Sequence, residues 1–365
     1  MRFAARQPIN SDPETSSDAL WLAVDKTSDA LARLDERFRT SPVREGFLAR
    51  LHFHEACAAV RNEGFLVHLE DLVLHDAGMD IRTPTAELVR AHSILRTRRR
   101  LAAAGPDMPT VQQILGLASE RSDAESGREG EGDSFGALEE GPTQDPLFAA
   151  IDAVVTQSAK SLRQAHEAFR QETRHPAVYN AEWNERGRVR DWLTTVAHAE
   201  GKPAVLAAAY AWEAWNRLDP LQRSRLLGPM LVGQVLRARG KAKSHLPALH
   251  VGAQLAARSS GRRQGHWLLA DYLAAIEAAA ANGMNELDRL ALAAEMLKRR
   301  CVGKRGNSNL PALANLFVDS PIVTVPFAAK RLGVSQQAAT TLVGLLSSAL
   351  REISGRKRYR SWSVL

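Results

Sequence analysis

Asn309-Leu-Pro-Ala-Leu-Ala-Asn-Leu-Phe-Val-Asp-Ser-Pro321 runs on through Ile322-Val-Thr-Val-Pro326 and Phe327-Ala-Ala-Lys-Arg-Leu-Gly-Val-Ser335. Gln336-Gln-Ala-Ala-Thr-Thr-Leu-Val-Gly-Leu-Leu346 follows, and then a basic tail, Ser354-Gly-Arg-Lys-Arg-Tyr-Arg-Ser-Trp362. Leu313, Leu316 and Phe317 recur at helical spacing, which predicts a helix with one apolar stripe ended by Pro321. The β-branched Ile322, Val323 and Val325 predict a short strand. Pro326 suits a helix start, because the first helical N–H has no intrahelical partner. Gly333 is free to take the left-handed conformation that stops that helix. Ser335 is a ready N-cap for the next one. Helix, glycine turn and capped helix make a helix-turn-helix, and the tail predicts a hairpin wing turning at Ser354-Gly355.

The second helix of such a motif lies in the major groove and reads base edges near its N-terminus. Ser335, Gln336, Gln337, Thr340 and Thr341 are the candidates for that role, with Arg356, Lys357, Arg358 and Arg360 of the wing as phosphate contacts. Double-stranded DNA is the expected partner. A winged helix that binds only protein is the alternative.

The chain has 365 residues and two cysteines, Cys57 and Cys301, far apart and without metal-type spacing. That usage points to a reducing cytosol. The first residues hold no apolar run, so no signal peptide is expected. Leu226 to Leu236 is too short to span a bilayer, so no membrane contact is expected either. The net charge of +7 is uneven: residues 120–145 carry nine acidic and two basic groups, which leaves the remainder at +14. A basic body suits a polyanionic partner. His52, His54, His68 and His75 do not fall on one helical face with carboxylates. No metal and no cofactor are expected.

Five blocks are expected. Residues 1–17 read as disordered and 18–118 as an N-terminal helical region. Residues 119–146 read as a flexible acidic linker. Residues 147–305 read as a second helical domain and 306–365 as the winged helix. Helices are predicted over 18–40, 84–104, 110–118, 147–170, 183–197, 203–215, 228–239, 267–281 and 286–298. Leu20, Trp21, Val24, Ala30, Leu31 and Leu34 are the expected buried stripe of the first. The fold class is all-α.

Two stretches resemble Fic/DOC proteins. Glu63-Gly64 followed by Leu69-Glu-Asp-Leu72 is similar to the family's inhibitory helix, with Ala59 where that helix carries a hydroxyl. Glu63 is therefore expected to be a structural residue at a helix end. Trp212-Glu-Ala-Trp215, Asn216, Leu218, Asp219, Arg223, Arg225 and Leu226-Leu227 resemble a shortened form of the core Phe-Glu-x-Ile-His-Pro-Phe-x-Asp-Gly-Asn-Gly-Arg. The C-terminal segment, from Val323-Thr-Val-Pro326 and Arg331-Leu-Gly-Val-Ser335 through Ser354-Gly-Arg-Lys-Arg358, is similar to winged helices that follow Fic domains. It also resembles a bacterial group of unknown function that ends in a helix-turn-helix. The resemblance implies a Fic-like helical bundle whose motif has degenerated. Asn216 stands in the place of the general base, and an amide does not titrate. Pro220, Leu221 and Gln222 stand where a phosphate-cradling glycine loop belongs, and Pro has no N–H to give. The expected function is a cytoplasmic DNA-binding transcriptional regulator. Its catalytically dead body serves dimerisation, as a homodimer, or sensing. The alternatives are residual nucleotide binding or nucleotidyl transfer through Asp219, Arg223 and Arg225, and a scaffold that binds protein.

Overall fold

A computed structural model describes residues 13–80, 83–126, 183–222, 224–260, 269–303, 309–353 and 360–364. Among the described residues, ten helices form the body. They are α1 (Pro13–Thr40), α2 (Arg44–Asn62), α3 (Leu69–Asp76), α4 (Ala86–Ala103), α5 (Val111–Ser126), α6 (Glu185–His198), α7 (Ala204–Leu218), α8 (Leu227–Ala238), α9 (Leu249–Ser260) and α10 (Leu269–Cys301). The winged helix follows as α11 (Leu310–Asp319), β1 (Val323–Thr324), α12 (Val325–Leu332), α13 (Gln336–Leu346), β2 (Leu350–Glu352) and β3 (Ser361–Val364). The fold is all-α with a small C-terminal sheet, as expected.

Residues up to Ser126 and from Arg186 onward pack as one unit. Helix α5 continues to Ser126, into the stretch read as linker. The helix expected over 147–170 lies outside the described residues, as do residues 1–12 and 127–182.

The core is built where apolar faces of sequence-distant helices meet. Leu31 and Leu34 of α1 face α10, whereas Trp21 is 53% exposed and falls off the stripe assigned to it. Trp192 and Trp215 are fully buried and meet edge to face, with ring centroids 5.2 Å apart. Their indole N–H groups donate to the carbonyls of Ala211 (2.8 Å) and Arg225 (3.2 Å). Buried indoles need such acceptors.

Two expectations are corrected here. The helices predicted over 267–281 and 286–298 are one helix, α10, of 33 residues. Ala281-Asn-Gly-Met284 reads as a break, because Gly costs about 1 kcal/mol in a helix interior. Packing decides otherwise: a Cβ on Gly283 would lie 2.7 Å from Leu34 Cδ2, so the glycine lets α1 approach. The second correction is α9, which no local signal marks. Its cap comes from another helix. Glu55 of α2 accepts from the backbone N–H groups of His250 (3.0 Å) and Val251 (3.1 Å) and from His250 Nδ1 (2.9 Å). Arg98 of α4, fully buried, lies 3.7 Å from the same carboxylate and donates to the carbonyls of Leu246 and Pro247.

Candidate nucleic-acid interface

The winged helix assembles as its local chemistry dictates. Thr324 caps α12, its hydroxyl accepting from the Phe327 N–H at 3.2 Å. Gly333 ends α12 at φ +64°, in the left-handed region. Ser335 caps α13, accepting from the Ala338 N–H at 3.2 Å. Phe317, Phe327, Ala328, Ala339, Val343, Leu346 and Trp362 are buried and form the small core. The sheet is antiparallel with β3 between β1 and β2, pairing Val323 with Trp362 and Glu352 with Trp362 across its two sides.

This packing leaves one face of α13 exposed. Ser335, Gln336, Gln337, Thr340 and Thr341 all lie on it. The Thr340 and Thr341 hydroxyls donate back to the carbonyls of Gln336 (2.8 Å) and Gln337 (3.1 Å), leaving their oxygens as acceptors. No residue of α13 is charged, so its exposed face is a row of neutral donors and acceptors.

The winged helix also carries cations. Arg356, Lys357 and Arg358 lie outside the described residues. Arg360 is exposed but engaged: it forms a two-pronged pair with Glu352, with Nε to Oε1 at 2.9 Å, and stacks over Trp362 at 5.2 Å. That hydrogen bond draws the Glu352 carboxyl below its usual range. Arg351 on β2 is an exposed cation, and so are Lys330 and Arg331 at the end of α12, which were not singled out in the sequence; Lys330 donates to the Ala77 carbonyl at 3.3 Å. Their signal was a basic pair in the last turn of the first helix of the motif, the helix that crosses the DNA backbone in such domains.

The residues of the eroded motif come together only in part. Asp219 sits at the end of α7 in the left-handed region (φ 44°) and pairs with Arg225, with Arg225 Nε to Oδ1 at 2.8 Å. Asn216 Nδ2 donates to the Tyr272 hydroxyl at 3.0 Å. Arg223 lies outside the described residues. Glu63 ends α2 and pairs with Arg90 of α4 at 2.7 Å, a structural role. Among the histidines, His75 bonds Asp80 at 2.8 Å.

Residues 177–302 match the family described as Protein of unknown function (DUF1612), and residues 310–365 match the HTH DNA binding domain. A relative from Sinorhizobium fredii (strain NBRC 101917 / NGR234), "Uncharacterized protein y4cF", is 38% identical over 376 residues, covering 96% of this chain and 98% of the relative. The chain belongs to this family. Its C-terminal unit is an HTH DNA-binding domain. Among solved structures, a Fic family protein from Desulfovibrio desulfuricans G20 is similar along 99% of this chain and 98% of its own, at 12% identity and a TM-score of 0.43. A likeness at that score says nothing about reaction. No helix among the described residues is long and apolar enough to cross a membrane.

Proposed function

We propose that this DUF1612 protein is a sequence-reading DNA-binding regulator of transcription. Its helical body serves self-association or sensing, and the chain acts in the cytosol as a homodimer. One observation carries the reading: Ser335, Gln336, Gln337, Thr340 and Thr341 share the exposed face of α13, the second helix of a helix-turn-helix. Glutamine and threonine there have the donor and acceptor pattern that matches base edges. The exposed cations Lys330, Arg331 and Arg351 of α12 and β2 are the candidates for the phosphate contacts that set register. The free thiols Cys57 and Cys301 suit a reducing compartment.

The body supports no nucleotidyl transfer in this reading. Asn216 is bonded to Tyr272 and has no titrating group, and Asp219 is bonded to Arg225. Incubation of the full chain with labelled ATP and Mg²⁺ is expected to give no transfer to itself or to lysate proteins. Binding to duplex DNA, measured by gel shift across a salt series, tests the main reading. A steep fall of log K with log salt is expected. Failure to bind any duplex at low salt overturns it.

A further inference from the structure

A cleft of about 480 Å³ opens between the body and the winged helix. Its volume falls in the range of small-molecule sites. The body contributes α2, α9 and α10. The winged helix contributes Pro321 and Ile322, which lead into β1, and Ile353, Ser363 and Val364 around the wing strands. The wall is apolar at Leu51, Leu255, Leu290, Ile322 and Val364. Ile353, 50% exposed, presents bare hydrocarbon to the same space.

The charged groups of the cleft are mainly cationic, and Gln254, Asn282 and Ser363 add neutral polar groups. Arg50, Arg61 and Arg289 line it against one carboxylate, Glu286, which Arg289 holds at 3.1 Å. His54 also lines it, and desolvation pushes its pKa below the usual range, so it adds no charge near neutrality. The Arg61 guanidinium makes no hydrogen bond or ion pair with the described residues. Arg50 spends Nε and Nη2 on the carbonyls of Phe317, Val318 and Ser320, and its Nη1 has no partner among the described residues. An apolar wall with unspent guanidinium donors at its edge fits one class of ligand, an anionic head on an apolar body.

We infer that this cleft is a binding site for an amphipathic organic acid, and that its occupancy biases the DNA-binding unit. The second half rests on the DNA-binding reading above. The bias follows from placement. A ligand touching both Arg61 of the body and Ile322 or Val364 of the winged helix stabilises the arrangement in which both walls face it. Any other arrangement of the two then binds the ligand less well, and linkage makes the effect reciprocal with DNA.

The test uses the full chain and 1-anilinonaphthalene-8-sulfonate, an aromatic anion whose fluorescence rises in apolar sites. Saturable binding near one probe per chain is expected, displaced by octanoate and not by octanol. Arg61→Ala, at an exposed position, should weaken the probe about tenfold or more, and Arg61→Lys should recover part of that loss. Leu255→Trp, which fills the apolar end, should abolish the signal while leaving the circular-dichroism melt unchanged. Saturating duplex DNA of mixed sequence should shift the probe's dissociation constant about fivefold or more. Probe binding indifferent to both Arg61→Ala and Leu255→Trp overturns the site. A dissociation constant equal with and without bound duplex overturns the bias. Absence of duplex binding itself removes the DNA reading and the bias with it, and leaves the anion site to stand or fall on the fluorescence alone.

Discussion

Gln337 and Arg356 stand for two kinds of contact, and the kinds separate by salt. Each phosphate neutralised adds about 0.9 to the slope of log K against log salt. Replacing Arg356, Lys357 and Arg358 together by Ala should therefore flatten the slope by up to about 2.7, equally on every sequence. Gln337→Ala or Thr340→Ala should instead cost about 1–3 kcal/mol on the preferred site and leave the slope nearly intact. An unchanged slope in the triple variant would turn the wing away from DNA and favour a protein partner. The residues on α13 were legible in sequence because a cap, a glycine stop and a two-helix rhythm locate them within a few positions. Arg50 and Arg61 were not, because a cleft wall is set by which helices meet, and nothing within a dozen residues of either reports that.

At the scale of elements, the ends carried by local chemistry were legible and those carried by partners were not. Thr324, Gly333 and Ser335 mark α12 and α13 on their own. Helix α9 starts where Glu55 of α2 reaches it, and α10 continues through Gly283 because α1 needs the room. Glu55 offers a clean test. It is fully buried, and removing it leaves Arg98 without its buried counter-charge and the His250 ring and two helix N–H groups without their acceptor. Glu55→Ala should cost about 3–5 kcal/mol, the usual result of breaking a buried pair from one side. Chemical denaturation read by tryptophan fluorescence measures it, and a loss below about 1 kcal/mol would mean that water relieves the stranded groups.

For the molecule as a whole, acid is the informative variable. Desolvation pushes the Asp76 carboxyl up, but hydrogen bonds from His92 (3.1 Å) and Arg99 (2.7 Å) outweigh it and hold the pKa at about 2. A carboxyl depressed in the folded state contributes stability that is fully present above about pH 4 and is lost as pH falls through about 2. Asp76→Asn should therefore lower stability by about 1–2 kcal/mol at neutral pH, after allowance for the solvent on its open side. The gap between variant and native protein should close by about pH 2, as thermal melts across pH would record. A gap that persists unchanged to that pH would mean the variant acts through packing.

The three bonds from Arg50 to the last carbonyls of α11 carry a consequence for dissection experiments. Those carbonyls have no partner within their own helix, and the body supplies one at 2.9 Å from Val318 and 2.7 Å from Ser320. Desolvation draws the Arg50 pKa down to about 10, which leaves it cationic over the whole neutral range. Gly46 adds to the seam, since a Cβ there would meet the Val318 carbonyl oxygen at 2.6 Å. Calorimetry of the full chain should show the helix-turn-helix melting together with the body, and Arg50→Ala should release it as an earlier, separate peak. A fragment cut at residue 309 would then bind DNA poorly for want of a folded helix end, with every side chain proposed to read bases still in place.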